Sequence, residues 1–227
     1  MSKSPSPHSD RLSRATASRL SLYLRCLEAW HREGVARFSS GDLARELGIT
    51  DAQVRKDLAQ LGNLGQRGIG YTTIDLTVEI RRVLGIDRTW RAAMVGIGNL
   101  ARALLRYDGF QAHGFEVVAL YDASPDKIGE IIEGKTIYDF AMLEDQLLVQ
   151  PIELAIVTVP GPAAQAVADR LVNAGVKGIL NFAPVMLKLP VRVQLVTVDF
   201  TIQLEQLAFR VQTGDDDHRL SDAYPIV

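Results

Sequence analysis

The stretch MVGIGNLARALL, Met94 to Leu105, constrains this chain more than any other. Trp90 to Val95 reads as a buried strand, and an apolar helical pattern opens straight after it. Between them Gly96, Gly98 and Ala101 fit G-x-G-x-x-G/A, the turn that cradles a dinucleotide. The first glycine permits the tight turn and the second lets backbone approach a pyrophosphate. The small third residue allows close helix–strand packing. With Ile97, Asn99 and Leu100, these residues form the expected pyrophosphate loop, at a helix N-terminus whose free N–H groups favour anions. A turn of this kind requires a strand–turn–helix unit, and through it a parallel sheet.

The following residues supply that sheet. FEVVALYD reads as a strand ending in Asp122, 24 residues after Gly98. An acid there accepts from ribose hydroxyls and disfavours a 2′-phosphate, so NAD(H) is preferred to NADP(H). Its plainer reading is a turn residue, since DASPD is turn-rich. ELAIVTVP is a strand closing on Pro160, which joins the expected cofactor-binding set. GPAAQAVADRLVNAG is an amphipathic helix, and VKGILNFAP and VQLVTVDF are further strands. The alternation is that of a doubly wound fold. The last stretch, FTIQLEQLAFRV, has Ile202, Leu204 and Leu207 apolar with no later element to cover them, which points to a second subunit.

The front of the chain has a different character. Between Arg11 and Arg82 stand 12 Lys/Arg against 8 Asp/Glu, a net of +4, whereas from Val83 onward there are 12 against 18, a net of −6. A basic half beside an acidic one suggests two domains, one of which can face a polyanion. Helical periodicity starts near Ser18 and ends at Gly34. Ser39 with Asp42, and Thr50 with Gln53, have the spacing of capping boxes and start two short helices joined through Gly-Ile-Thr. That is a helix-turn-helix, whose second helix lies in the DNA major groove. Gln53, Arg55 and Lys56 face away from its Val54/Leu58 stripe. Gln pairs bidentately with adenine, Arg with guanine, and Lys56 suits a phosphate. The plain alternative is a solvated helix face. GNLGQRGIGYTTI then suggests a hairpin, a wing with Arg67 near its tip and Tyr71 on its far strand, or else an ordinary surface hairpin.

Composition removes several classes. One cysteine, Cys26, leaves no internal disulfide and no cysteine-rich metal site, and no metal is expected. No apolar run reaches the ~20 residues of a membrane span. MSKSPSPHSDR has no apolar core of a secretory signal, which implies a cytoplasmic chain. It and the acidic GDDDHRLSDAYPIV read as disordered tails. The four histidines, His8, His31, His113 and His218, lie away from any strand end where a nicotinamide would sit. No catalytic residue is therefore expected. The cofactor is read, not used.

QVRKDLAQLGNLGQRGIGY, VGIGNLARALL, ILNFAPV and VDFTIQLEQLAF, in that order, resemble the Rex family of redox-sensing transcriptional repressors, over roughly Ser18 to Val211. The resemblance implies a homodimer with an N-terminal winged helix, a C-terminal Rossmann domain and a last helix swapped onto the partner. It implies that NADH releases the protein from operator DNA while NAD⁺ competes weakly or supports binding. It also implies roles for particular residues. Arg55 and Lys56 match recognition-helix contacts, and Arg67 and Tyr71 match the wing. Arg25, Tyr107 and Asp199 match residues that couple ligand to domain orientation, and Phe200 an aromatic that covers the nicotinamide from the partner. Ala101 stands where the family usually has Gly, and Leu61 and Leu64 where it commonly has aromatics.

The expected architecture is thus α/β. An N-terminal winged helix-turn-helix domain (16–82) precedes a Rossmann-like doubly wound parallel sheet (88–200). A swapped C-terminal dimerisation helix (201–212) follows, and tails occupy 1–15 and 213–227. The expected function is an NADH/NAD⁺-responsive repressor that binds double-stranded operator DNA as a homodimer, with no membrane partner. Two other readings stand beside it: a small NAD-dependent oxidoreductase with an accessory DNA-binding domain, and a CoA-binding protein.

Overall fold

The first helix begins before its apolar stripe does. In the computed structural model, which describes residues 12–62, 64–65 and 69–214, α1 runs Arg14–Arg32. Ser13 caps it, its hydroxyl accepting from the Thr16 N–H. The stripe begun at Leu20 fixes the buried face, but the cap fixes the start, four residues ahead of Ser18. The helix therefore reaches into the segment expected to be a tail.

The chain divides into two units, one ending at Arg88 and one beginning at Thr89. In the first, β1 (Arg37–Phe38) is followed by α2 (Ser40–Glu46) and α3 (Asp51–Ala59), then β2 (Tyr71–Thr72) and α4 (Thr73–Val83). Ser39 and Asp42 form a reciprocal capping box. Thr50 forms only half of one. Its side chain accepts from the Gln53 N–H, but the Gln53 amide donates to Asp57 instead of returning to the cap. Holding its nitrogen on Asp57, one turn further along α3, keeps the amide away from the cap. Leu20, Tyr23, Leu27, Leu43, Val54, Leu58, Leu76 and Ile80 close the core of this unit. Helix α4 escaped the sequence reading. Thr72 caps it by accepting from the Asp75 N–H, and Arg81 ties it to Glu28 of α1 at 3.0 Å.

The tip of the expected wing, Arg67, lies outside the described residues. The strand after the glycines runs antiparallel to β1, with Phe38 opposite Tyr71 and Arg37 opposite Thr72. The Phe38 and Tyr71 rings lie 5.7 Å apart at 24°, and Leu64 packs against the core.

The second unit holds β3 (Trp90–Val95), α5 (Asn99–Leu105), α6 (Gly109–Ala112), β4 (Phe115–Asp122), β5 (Ile131–Ile132), β6 (Lys135–Asp139), α7 (Leu143–Val149), β7 (Leu154–Val157), α8 (Gly161–Asn173), β8 (Gly178–Asn181), β9 (Gln194–Thr197) and α9 (Phe200–Thr213). The strand order is β5-β6-β4-β3-β7-β8-β9. All neighbours are parallel except β5 and β6. The sheet is therefore not wholly parallel: a short hairpin, turning at Glu133 and Gly134 with positive φ, adds an antiparallel edge. The order reverses at β3, which has β4 on one side and β7 on the other. A crevice opens at such a switch point, beyond the carboxyl ends of the strands. Apolar runs fill the middle strands because both faces are covered, and Ala93, Met94, Leu120 and Ala155 are wholly buried. In contrast nothing among the described residues covers α9. Phe200, Ile202, Leu204, Leu207 and Phe209 are each about half exposed or more.

Candidate functional site

At the switch point the glycine loop is held from below. Gly96 has φ +91°, and a Cβ built on it would lie 2.5 Å from Val159 Cγ1 and 2.9 Å from the Val159 nitrogen. Only glycine lets the end of β3 lie this close to the end of β7. Ile97 is fully buried, and its N–H donates to Asp122 Oδ2 at 2.7 Å. The hydroxyl of Thr158 donates to the carbonyls of Val95 and Gly96, at 3.1 and 2.8 Å. Gly98, the N-cap of α5, has nothing within 4 Å of the position its Cβ would take. Asn99 and Leu100 form the first turn of α5, and Ala101 is completely buried against the sheet. The loop is thus tight at its first glycine, open at its second and packed at its third small residue. Those are the three conditions that a pyrophosphate-binding turn sets.

Asp122 ends β4 beside the loop. Its Oδ1 accepts from the Ser124 N–H at 2.9 Å, and its Oδ2 accepts from Ile97 and from Lys127 Nζ at 3.0 Å. Burial alone would raise this carboxyl. The Ser124 N–H, the Lys127 ammonium and the Ile97 N–H outweigh it and hold the group below the ordinary carboxylate value. An ionised acid with a lone pair left on Oδ1 can still take one ribose hydroxyl. Gly96, Gly98, Asp122, Lys127, Thr158 and Pro160 share the wall of one cavity of about 510 Å³, and Phe140 and Val167 give it an apolar side. The cavity brings together the glycine loop, the acid and Pro160, as the sequence proposed. Lys127 and Thr158 were missed. Lys127 is five residues beyond the acid in DASPDK. Thr158 is the residue after β7, a strand-end position next to the switch point, and that rule could have found it.

The remaining residues of interest sit elsewhere. Phe200 starts α9, 58% exposed, with its ring 6.2 Å from that of Phe182. Asp199 caps the same helix, accepting from the N–H groups of Thr201 and Ile202. It does not hydrogen-bond Tyr107, whose exposed ring meets the edge of Phe110 at 5.6 Å. Arg25 is exposed on α1. On α3, Arg55 and Lys56 face solvent, and Arg55 pairs with Asp51 one turn earlier. Gln53 is half-buried and bound to Asp57. Tyr71 spends its ring on Phe38. His31 lies in α1 of the first unit, and His113 ends α6 just before the amino end of β4. Among the described residues no group of three or more His, Cys, Asp or Glu could hold a metal ion, and no helix is long and apolar enough to cross a membrane.

Residues 87–185 match the family model described as a CoA binding domain, and residues 11–59 match that of a putative DNA-binding protein N-terminus. Redox-sensing transcriptional repressor Rex of Desulfitobacterium hafniense is 43% identical over 203 residues, covering 89% of this chain and 97% of its own. The Rex repressor of Carboxydothermus hydrogenoformans is 44% identical, covering 89% of this chain and 97% of its own. That of Streptomyces griseus is 41% identical over 97% of this chain and 88% of its own. Among solved structures, RSP in complex with β-NAD⁺ and operator DNA superposes with a TM-score of 0.86 at 35% identity, covering 90% of this chain and 94% of that one. RSP in complex with β-NADH superposes at 0.81 and 33% identity, covering 90% and 96%.

Proposed function

The chain belongs to the Rex family of redox-sensing transcriptional repressors, and from that premise we propose how its residues read the NADH/NAD⁺ ratio and act on DNA. It is a repressor that binds operator DNA as a homodimer and releases it when NADH binds. The observation that supports this most directly is the open Gly98 beside the pinned Asp122, in a chain that also carries a helix-turn-helix. Gly96, Ile97, Gly98, Asn99, Leu100 and Ala101 hold the pyrophosphate. Asp122 takes a ribose hydroxyl, which selects NAD(H) over NADP(H), and Pro160 borders the pocket. Arg55 and Lys56 contact the operator from α3, Arg67 and Tyr71 belong to the wing, and Gln53 faces a base. The uncovered α9 docks on a second subunit, which brings its Phe200 toward the partner's nicotinamide site. The repressor acts in the cytoplasm, and its nucleotide is bound without being turned over, in keeping with relatives named as repressors.

The two redox forms differ only at the nicotinamide, neutral in one and cationic in the other. Neither the glycine loop nor Asp122 can tell them apart, so discrimination falls to residues beyond them. Asp199 is suited to the task because it is a carboxylate at the start of an uncovered helix. In the DNA-bound state it pairs with Arg25, and in the NADH-bound state with Tyr107. A ligand moves such an equilibrium only through unequal affinity for the two states. Reciprocity supplies the test: if NADH weakens DNA binding, DNA weakens NADH binding by the same factor. Calorimetric NADH titrations with and without a bound operator duplex measure that factor, and Arg25→Ala is expected to shrink it while light scattering still finds a dimer. Equal NADH affinity with and without DNA would overturn the proposal.

A further inference from the structure

One buried carboxylate, Asp57 on α3, is wholly sealed from solvent, yet it sits one turn after Gln53 on the helix that meets DNA. Four donors converge on it. Arg19 of α1 grips both oxygens, Nε to Oδ2 at 2.6 Å and Nη2 to Oδ1 at 2.7 Å. The Tyr23 hydroxyl donates to Oδ2 at 2.7 Å, and Gln53 Nε2 donates to Oδ1 at 2.9 Å. Each oxygen therefore accepts twice, which fills the carboxylate. The Tyr23 phenol, raised by burial and by Asp57, remains protonated and a donor.

This arrangement fixes one thing that a surface glutamine leaves free. The carboxamide of a solvated Gln can turn over, exchanging its oxygen and nitrogen as seen by a base edge. An ionised carboxylate only accepts, so Gln53 must keep its nitrogen toward Asp57 and its oxygen on the other side. One N–H of that nitrogen is used by Asp57, and the second lies alongside the oxygen. The outward edge of Gln53 is then an acceptor and a donor in a fixed order. Adenine offers an N6 amino donor beside the N7 acceptor, and cytosine offers an N4 amino donor. The major-groove edge of guanine offers acceptors only, and would suit a turned-over amide.

We infer that Asp57 is a positioning residue for base recognition: it locks the Gln53 carboxamide so that α3 selects a base presenting an amino group in the major groove, adenine or cytosine. Asp57 itself never reaches the DNA. The inference rests on the DNA-binding reading above and adds to it which part of α3 sets base preference, and why. A purely structural part for Asp57, clamping α3 to α1, would affect stability and overall affinity but not the preference at one base pair.

The test is selection from a randomised 20-base-pair duplex pool by the full-length protein, followed by affinities for the selected duplex and its single-position variants. Gln53→Ala identifies the position that Gln53 reads. There the wild type should favour the amino-bearing base by about ten-fold or more, in keeping with one good bidentate contact. Asp57→Asn, which can hold the amide either way up, should cut that preference to about three-fold or less at the same position, with the salt slope of binding unchanged because phosphate contacts remain. The double variant should lose no more preference than Gln53→Ala alone. Tyr23→Phe removes a donor from Asp57 but not from Gln53, and should keep the preference. If Asp57→Asn does not fold, the wild type still answers: the Gln53 side-chain NH₂ should show an NMR order parameter near the rigid-backbone value of about 0.85. A freely rotating Gln53 amide, or an Asp57→Asn dimer with wild-type preference at that position, overturns the inference alone. A wild type that selects no sequence overturns the DNA-binding reading, and the inference with it.

Discussion

Two glycines two residues apart should fail in opposite ways when each is given a methyl group. Gly96 has φ +91°, and its added Cβ would overlap Val159, including backbone. Left-handed backbone costs a non-glycine residue about 1–2 kcal/mol, and overpacking a close contact adds about 1–3 kcal/mol. Gly96→Ala should therefore lose about 2–5 kcal/mol, which lowers the melting temperature by roughly 5–20 °C in a chain of this size. Gly98 has an ordinary extended φ of −95° and open space around its Cβ position. Gly98→Ala should cost at most about 1 kcal/mol, for a poorer helix cap. Its methyl group instead fills the place where the pyrophosphate must approach the backbone, so NADH affinity should fall about 5- to 150-fold, the equivalent of 1–3 kcal/mol. Differential scanning calorimetry and NADH titration, run on both variants, separate the two effects. The reasoning is refuted if Gly96→Ala melts with the wild type, or if Gly98→Ala binds NADH with wild-type affinity.

Four further outcomes are expected. Arg55→Ala should weaken operator binding by about 1–3 kcal/mol while changing random-DNA binding less, as measured by fluorescence anisotropy; equal losses on both would make Arg55 a phosphate contact only. Asp122 has its folded pKa held below the ordinary 3.8, so its contribution is fully present above that ordinary value and is lost as pH falls through the folded one; in urea titrations between pH 2 and 6, Asp122→Asn should show a shallower acid loss of stability than wild type. Leu204→Glu together with Leu207→Glu, three residues apart on one exposed face of α9, should convert dimer to monomer in light scattering without moving the far-ultraviolet circular dichroism. Cys26 is buried, and its thiol is pushed up to about 12, first by burial and then by Glu46 and Glu33; Ellman's reagent should find almost no reactive thiol at pH 8 until the protein is unfolded.

Much of this protein can be read along the chain. The turn at Gly96–Ala101, the strands from Trp90 and Phe115, and the helix after Pro160 are local patterns, because a glycine turn, an apolar run and a 3.6-residue stripe each act over a few neighbours. The Ser39 cap is local for the same reason. Kinship is written there too, in motifs whose order and spacing identify the family. Other features needed distant segments to meet. Tyr71 pairs with Phe38 across more than thirty residues, with their rings stacked. The hairpin of β5 and β6 is too short to leave a periodic signal, and its edge position comes from β4 beside it. Asp122 reads in sequence as a ribose acid or a turn residue, and in the fold it also pins Ile97 and binds Lys127. Asp57 reads as one more charge on a solvated helix. Only the packing of α1 on α3 turns it into a buried acceptor filled by Arg19, Tyr23 and Gln53. Hydrogen-bond saturation of a buried charge depends on three-dimensional proximity, and no sequence spacing between residues 19, 23 and 57 encodes it.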